Sequence, residues 1–213
     1  DFVGVTATDG AYGVGETLSI TVVWDEVVSV TGTPTLTLSN GDTASYSSGT
    51  GTNSLVFTTV IAEADTASSD LSVSAYGGTI TDTAGGAAGA ASGDLGAVTV
   101  DGDAPDLSSV VDTTGDGAYG VGETISITVT WDEAVIVTGS PTLTLSNSAT
   151  ASYTSGSGNA ALVFTYTVAE NDAASNDLTV SSHSGGTIKD AAGGDAASAT
   201  GDPGTCLLYT SPS

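Results

Sequence analysis

The residues able to do chemistry in this chain are almost all carboxylates. Its 213 residues carry 25 Asp and Glu against one basic side chain, Lys189, and one His, for a formal charge of −24. Hard oxygen donors in such number suit a divalent cation, above all Ca²⁺, which takes about six to eight of them. Catalysis has fewer parts. One His (His183) and one Cys (Cys206) supply no credible acid–base or thiol pair, and the reading is of a non-enzyme. Paired carboxylates could serve a glycosidase, but here they fall on expected loops with no aromatic cleft suggested. Phosphate recognition needs clustered Lys or Arg, which excludes nucleic acid and an anionic membrane surface as partners.

The elements that must position these acids are strands. In "TISITVTW", Ile125, Ile127, Val129 and Trp131 alternate with Ser126, Thr128 and Thr130; "ALVFTYTV" repeats the pattern. Period two with β-branched residues means half-buried strands, and Gly and Asn/Asp clusters punctuate them at short intervals. No apolar run is long enough to span a bilayer. The chain is read as all-β.

It is also read as duplicated. "DGAYGVGE" occurs at Asp9–Glu16 and again at Asp116–Glu123, and residues 9–73 laid over 116–180 agree at 46 of 65 positions. In the second copy strands are expected near 107–111, 124–131, 141–146, 150–154, 161–168 and 177–181, with a short extra one at Val135–Val137. The first copy adds a seventh at 96–100. Seven short strands in about a hundred residues predict an immunoglobulin-like β-sandwich, twice in tandem. The expected domains are 1–102 and 103–205. The glycines of "GAYGVG" precede a strand and lack a Lys, so they read as a tight turn and not as a phosphate loop.

The Tyr-Gly-x-Gly-Glu turn, the Trp-Asp-Glu-Ala-Val corner, Pro-Thr-Leu-Thr-Leu and the late Ile-x-Asp-x-x-Gly segment resemble the bacterial Ig-like repeats of very large secreted surface proteins. Those repeats are known from adhesins and from flagellar-system-associated repeat arrays. The resemblance covers residues 1 to about 203. It implies extender modules of a cell-surface or secreted adhesin-like filament, extracellular, often rigidified by calcium where domains join. Partners would be neighbouring repeats of the same chain, with glycans or other surface proteins met through domains outside this segment. The absence of Met, the near absence of Cys and the abundance of Ser and Thr agree with an extracellular protein. The Ser/Thr faces leave O-glycosylation open, while no Asn-X-Ser/Thr sequon occurs.

Strand parity gives a ligand set independently. In a seven-strand sandwich, consecutive loops alternate between the two ends. Loops carrying Asp132-Glu133 and Asp190, loops carrying Asp9, Glu16, Glu63, Asp65 and Asp70, and the linker acids Asp101, Asp103 and Asp106 are thereby expected at one junction. The ligands expected for Ca²⁺ are Asp101, Asp103, Asp106, Glu16, Glu133 and Asp190. The bland alternative is a solvated acidic surface, since no EF-hand spacing occurs.

Two rival functions remain open at this point. A carbohydrate-binding module would want exposed aromatics, and Tyr12, Tyr119, Tyr46 and Tyr153 are the candidates. A filament subunit would exchange strands through an open edge. The end of the chain bears on the latter. "CLLYTSPS" back-translates to a sequence resembling a transposase adapter, so residues 206–213 are expected to be an artefactual tail of a metagenomic fragment. The second domain would then lack its last strand. Trp24 and Trp131 are expected in the core, His183 in a loop or edge, and Lys189 beside acids.

Overall fold

A computed structural model describes residues 1–209; residues 210–213 of the expected tail lie outside the described residues. Every regular element described is a strand, most of them antiparallel. The chain divides into two compact units: Asp1–Asp103 with Ala192–Gly194, and Ala104–Ala191 with the residues from Asp195 onward. The main break lies one residue beyond the boundary drawn from sequence.

The first unit contains β1 (Phe2–Ala7), β2 (Gly10–Tyr12), β3 (Thr17–Leu38), β4 (Thr43–Ser48), β5 (Thr52–Val60), β6 (Ser72–Asp82), β7 (Gly93–Asp94) and β8 (Val98–Val100). β3 organises it. Its first half pairs with β1 and β5, Ile20 facing both Ala7 and Phe57. After a register shift between Val23 and Val28 its second half pairs with β6 and β4. One continuous strand therefore serves two sets of partners. Leu18, Ile20, Val22 and Trp24 point inward from the first half, Leu36 and Leu38 from the second, and all six are at most 2 % exposed. They share one core with Leu55 and Phe57 of β5 and with Val73 and Ile80 of β6. That is the arrangement of a β-sandwich. Each such aliphatic or aromatic side chain contributes about 1.5–3 kcal/mol when fully buried.

The second unit repeats the plan with β9 (Leu107–Asp112), β10 (Gly117–Gly120), β11 (Thr124–Leu145), β12 (Thr150–Ser155), β13 (Asn159–Thr167), β14 (Val180–Lys189) and β15 (Cys206–Tyr209). β11 pairs with β9 and β13 in its first half and with β14 and β12 in its second. Ile125, Ile127, Val129 and Trp131 are buried as the alternation requires.

Three details depart from the strand map read in the sequence. The Trp-Asp-Glu corners are not loops: Asp25-Glu26 and Asp132-Glu133 lie inside β3 and β11, at the register shifts. A bulge absorbs the polar break without ending the strand. The sixth strand reaches farther than expected, β14 running to Lys189 through Gly185-Gly186, because the ladder with β11 continues past the glycines. Finally, Cys206–Tyr209 takes the place left open for a closing strand. It runs parallel to β10 in the register by which β8 runs parallel to β2: Gly117 faces Cys206 as Gly10 faces Val98.

The repeated turns behave as their glycines predict. Gly15 and Gly122 both have φ of 87°, in the left-handed region where a Cβ is unwelcome.

Candidate functional site

The expected ligands are placed by unequal means. In the second unit the antiparallel ladder sets Ile136 against Lys189 and Val137 against Ile188. Asp190, just past the end of β14, is thereby brought beside the bulge of β11 that carries Glu133. Their carboxylates each offer an oxygen, and these lie within 4.8 Å of one another. Asp190 is one of two buried charged residues among those described, at 4 % exposure. Two carboxylates this close, one inside the protein, form an oxygen-donor pair of the kind hard cations use. By donor chemistry the pair fits a hard cation such as Ca²⁺ and would supply two of its oxygen ligands.

Of the other four expected ligands, Glu16 and Asp101 use their carboxylates locally. Glu16 Oε2 accepts from the backbone N of Gly13 (3.4 Å), tying the repeated turn. Asp101 belongs to the first unit, where its N–H donates to the carbonyl of Tyr12 and its Oδ1 accepts from the N of Asp103 (3.3 Å). Asp103 is exposed. Asp106 is exposed and donates its backbone N–H to Asp132 Oδ1 (2.8 Å). Among the described residues, no group of three metal-capable side chains includes Glu16, Asp103 or Asp106. Several remaining acids cap loops in the same way: Asp9 Oδ1 accepts from Ala97 N, and Asp65 Oδ2 from Ala62 N.

The tyrosines offered as a sugar platform are half-buried and packed against the cores. Tyr46 and Tyr153 stand edge-on to Phe57 and Phe164, at 5.9 and 5.8 Å between ring centroids. Their hydroxyls accept from Thr50 N and Ser157 N, both at 2.9 Å, and so hold the β4–β5 and β12–β13 hairpins. Tyr12 donates to the carbonyl of Thr8 (2.9 Å) and Tyr119 to that of Gly115.

Two residues read in the sequence as marginal are structural. His183 is an edge residue and not a loop residue: it lies within β14, the terminal strand of its sheet, half-buried, its ring 6.5 Å from Trp131 and nearly perpendicular to it. Its Nδ1 accepts from Ala199 N (3.1 Å), so that nitrogen carries no proton. Burial holds its pKa below the ordinary value, with Asp195 opposing. In the first unit Tyr76 fills the same place, edge-on to Trp24 and donating to the carbonyl of Ala88 (2.7 Å). Both tryptophans are buried as expected, their indole N–H groups donating to Gly89 and Ala197 carbonyls. Lys189 pairs with Asp195 at 3.1 Å on the surface.

The second structural residue is Cys206. It is fully buried, and its Sγ donates to Asp112 Oδ2 at 3.3 Å. Burial, then the bond to Asp112, pushes the thiol up to about 12, so the reactive thiolate is suppressed. Asp112 carries no local sequence signal; it is a carboxylate at 8 % exposure that also accepts from Thr114 N (2.7 Å) and lies 3.3 Å from the Tyr119 hydroxyl. In the first unit Ala7 occupies the equivalent register, opposite Ile20 as Asp112 is opposite Ile127.

Fold and site together define a protein of two acidic, all-β units, built on one repeated strand plan. Among known proteins, no family model matches this chain and no curated sequence matches it.

Proposed function

We propose that the two units are non-enzymatic extender modules of a large extracellular, adhesin-like protein on a bacterial surface, stiffened by Ca²⁺. The observation that carries this reading is the duplication itself. Two stretches with 46 of 65 residues in common pair their strands in the same registers, β3 with β4 and β5 as β11 with β12 and β13. Repeating one module adds length without adding new chemistry, and length with solubility is what a spacer supplies. A charge of −24 opposes self-association and attracts cations. Glu133 and Asp190 are the ligands proposed with most support, and the sequence set of Glu16, Asp101, Asp103 and Asp106 stands behind them. The partners proposed are further repeats of the same chain.

Small-angle scattering on chains of two, four and six repeats in millimolar calcium tests the spacer. A constant increment of maximum dimension per repeat is expected. Chains that stay compact as repeats are added would refute it.

A further inference from the structure

The second unit buries the ring of Tyr166 and uses its hydroxyl as a connector. The hydroxyl donates to Asp172 Oδ2 at 2.6 Å and accepts from Asn147 Nδ2 at 3.1 Å. The counterparts 107 residues earlier are Thr59, Asp65 and Asn40. The frame around them is preserved. Ala62 N donates to Asp65 Oδ2 at 2.7 Å, as Ala169 N does to Asp172 Oδ2 at 2.7 Å. Asp42 N donates to Asn40 Oδ1 at 3.2 Å, as Ala149 N does to Asn147 Oδ1 at 3.1 Å.

What differs is the filling. Thr59 is too short to span the frame, and its Oγ1 reaches only Asp42 Oδ2 (3.2 Å). Asn40 Nδ2 turns to the carbonyl of Thr66 (3.3 Å). At this frame lies a polar cleft of about 230 Å³, lined by Asn40, Gly41, Asp42, Ala64, Asp65 and Thr66. The second unit thus shows what this frame holds when filled: a hydroxyl set between an amide and a carboxylate. Asp42, where the second unit has Ala149, adds another acceptor.

We propose that this cleft binds a small polyol or a single sugar ring. One ligand hydroxyl takes the place of the Tyr166 hydroxyl, donating to Asp65 Oδ2 and accepting from Asn40 Nδ2. A second donates to Asp42. Carboxylates accept but do not donate, so the ligand must bring the protons, as a diol does. The volume lies below the roughly 300–1,000 Å³ of drug-sized sites, which selects one ring or a short open chain. The site belongs to the first unit alone and does not depend on the calcium reading.

Amide chemical-shift titration of the whole chain with glucose and with glycerol tests this. Shifts are expected at residues 40–42 and 62–66, with none at 147–149 and 169–173. The double variant Asp42→Ala/Thr59→Tyr installs the pair that the second unit already folds around, and its shifts are expected to vanish. No response to either polyol, an equal response in both units, or a response surviving in the double variant would overturn the proposal. A response to calcium chloride alone would overturn it too, by making the cleft a cation site.

Discussion

The two repeats share a core and differ in their polar inserts, and the differences come as matched sets. Where the first unit has Thr59 and Asp42, the second has Tyr166 and Ala149, the larger side chain arriving as the neighbour shrinks. Where the first packs Tyr76 on Trp24, the second packs His183 on Trp131, and the backbone contact changes from donated to accepted. Where the first closes with Val98, the second closes with Cys206, bonded to an Asp112 that stands in the place of Ala7. Buried polar atoms need partners, so a substitution that introduces one is tolerated when its partner is also present. Each repeat is thereby a control for the other.

The shared part should yield the largest effects. Trp24→Ala and Trp131→Ala each remove a fully buried indole and are expected to destabilise their own unit by about 3–5 kcal/mol. Hydrogen exchange resolved by residue checks that protection falls in the mutated unit.

The inserts come next. Asp112→Ala removes the acceptor for Cys206 and Thr114, at an expected cost of about 1–3 kcal/mol to the second unit. Adding Cys206→Val rebuilds the apolar arrangement of the first unit and should recover most of it. A double-mutant cycle by denaturant melts measures that recovery. Tyr166→Phe deletes the connector between Asn147 and Asp172 and is expected to cost about 1–2 kcal/mol in the same assay.

A smaller effect separates the units by pH. His183 has its pKa depressed by burial, so the unfolded chain binds its proton more readily than the folded one. Its contribution is fully present above the ordinary histidine value near 6.5 and is lost as pH falls from there toward the lowered value. Melts between pH 7.5 and 5 should show this loss in the second unit, and His183→Tyr, copying Tyr76, should abolish it. Smallest is Lys189→Ala. Its exposed pair with Asp195 is expected to be worth less than about 1 kcal/mol.

How much of this was legible in the sequence follows from the range of the signals. Alternation in "TISITVTW" identified the buried face of β11 because strand period is local. The duplication identified the plan because it needs only self-comparison. The continuity of β3 and β11 through their Asp-Glu pairs was not legible, since a polar bulge within a strand and a polar loop between strands read alike. The Gly185-Gly186 pair hid the extent of β14 for the same reason. The Asp112–Cys206 and Tyr166–Asp172–Asn147 contacts join residues with little local signature. A trace did exist in the repeat alignment, at the paired changes of 42 with 149 and 59 with 166. Of the expected ligands, Glu133 and Asp190 meet because ladder register carries them together, which strand parity foresaw while placing Glu133 on a loop.

Glu133 and Asp190 are proposed to hold Ca²⁺ as part of an extender. Thermal melts of the whole chain in EDTA and in about 10 mM calcium, with sodium matched in ionic strength, test it most directly. For a site of Kd near 1 mM, binding stabilises by about 1.4 kcal/mol. That is a rise of roughly 6–11 °C for a unit of about a hundred residues. Such a rise is expected in the native chain and its loss in Glu133→Gln/Asp190→Asn. Identical melts in EDTA and calcium would contradict it.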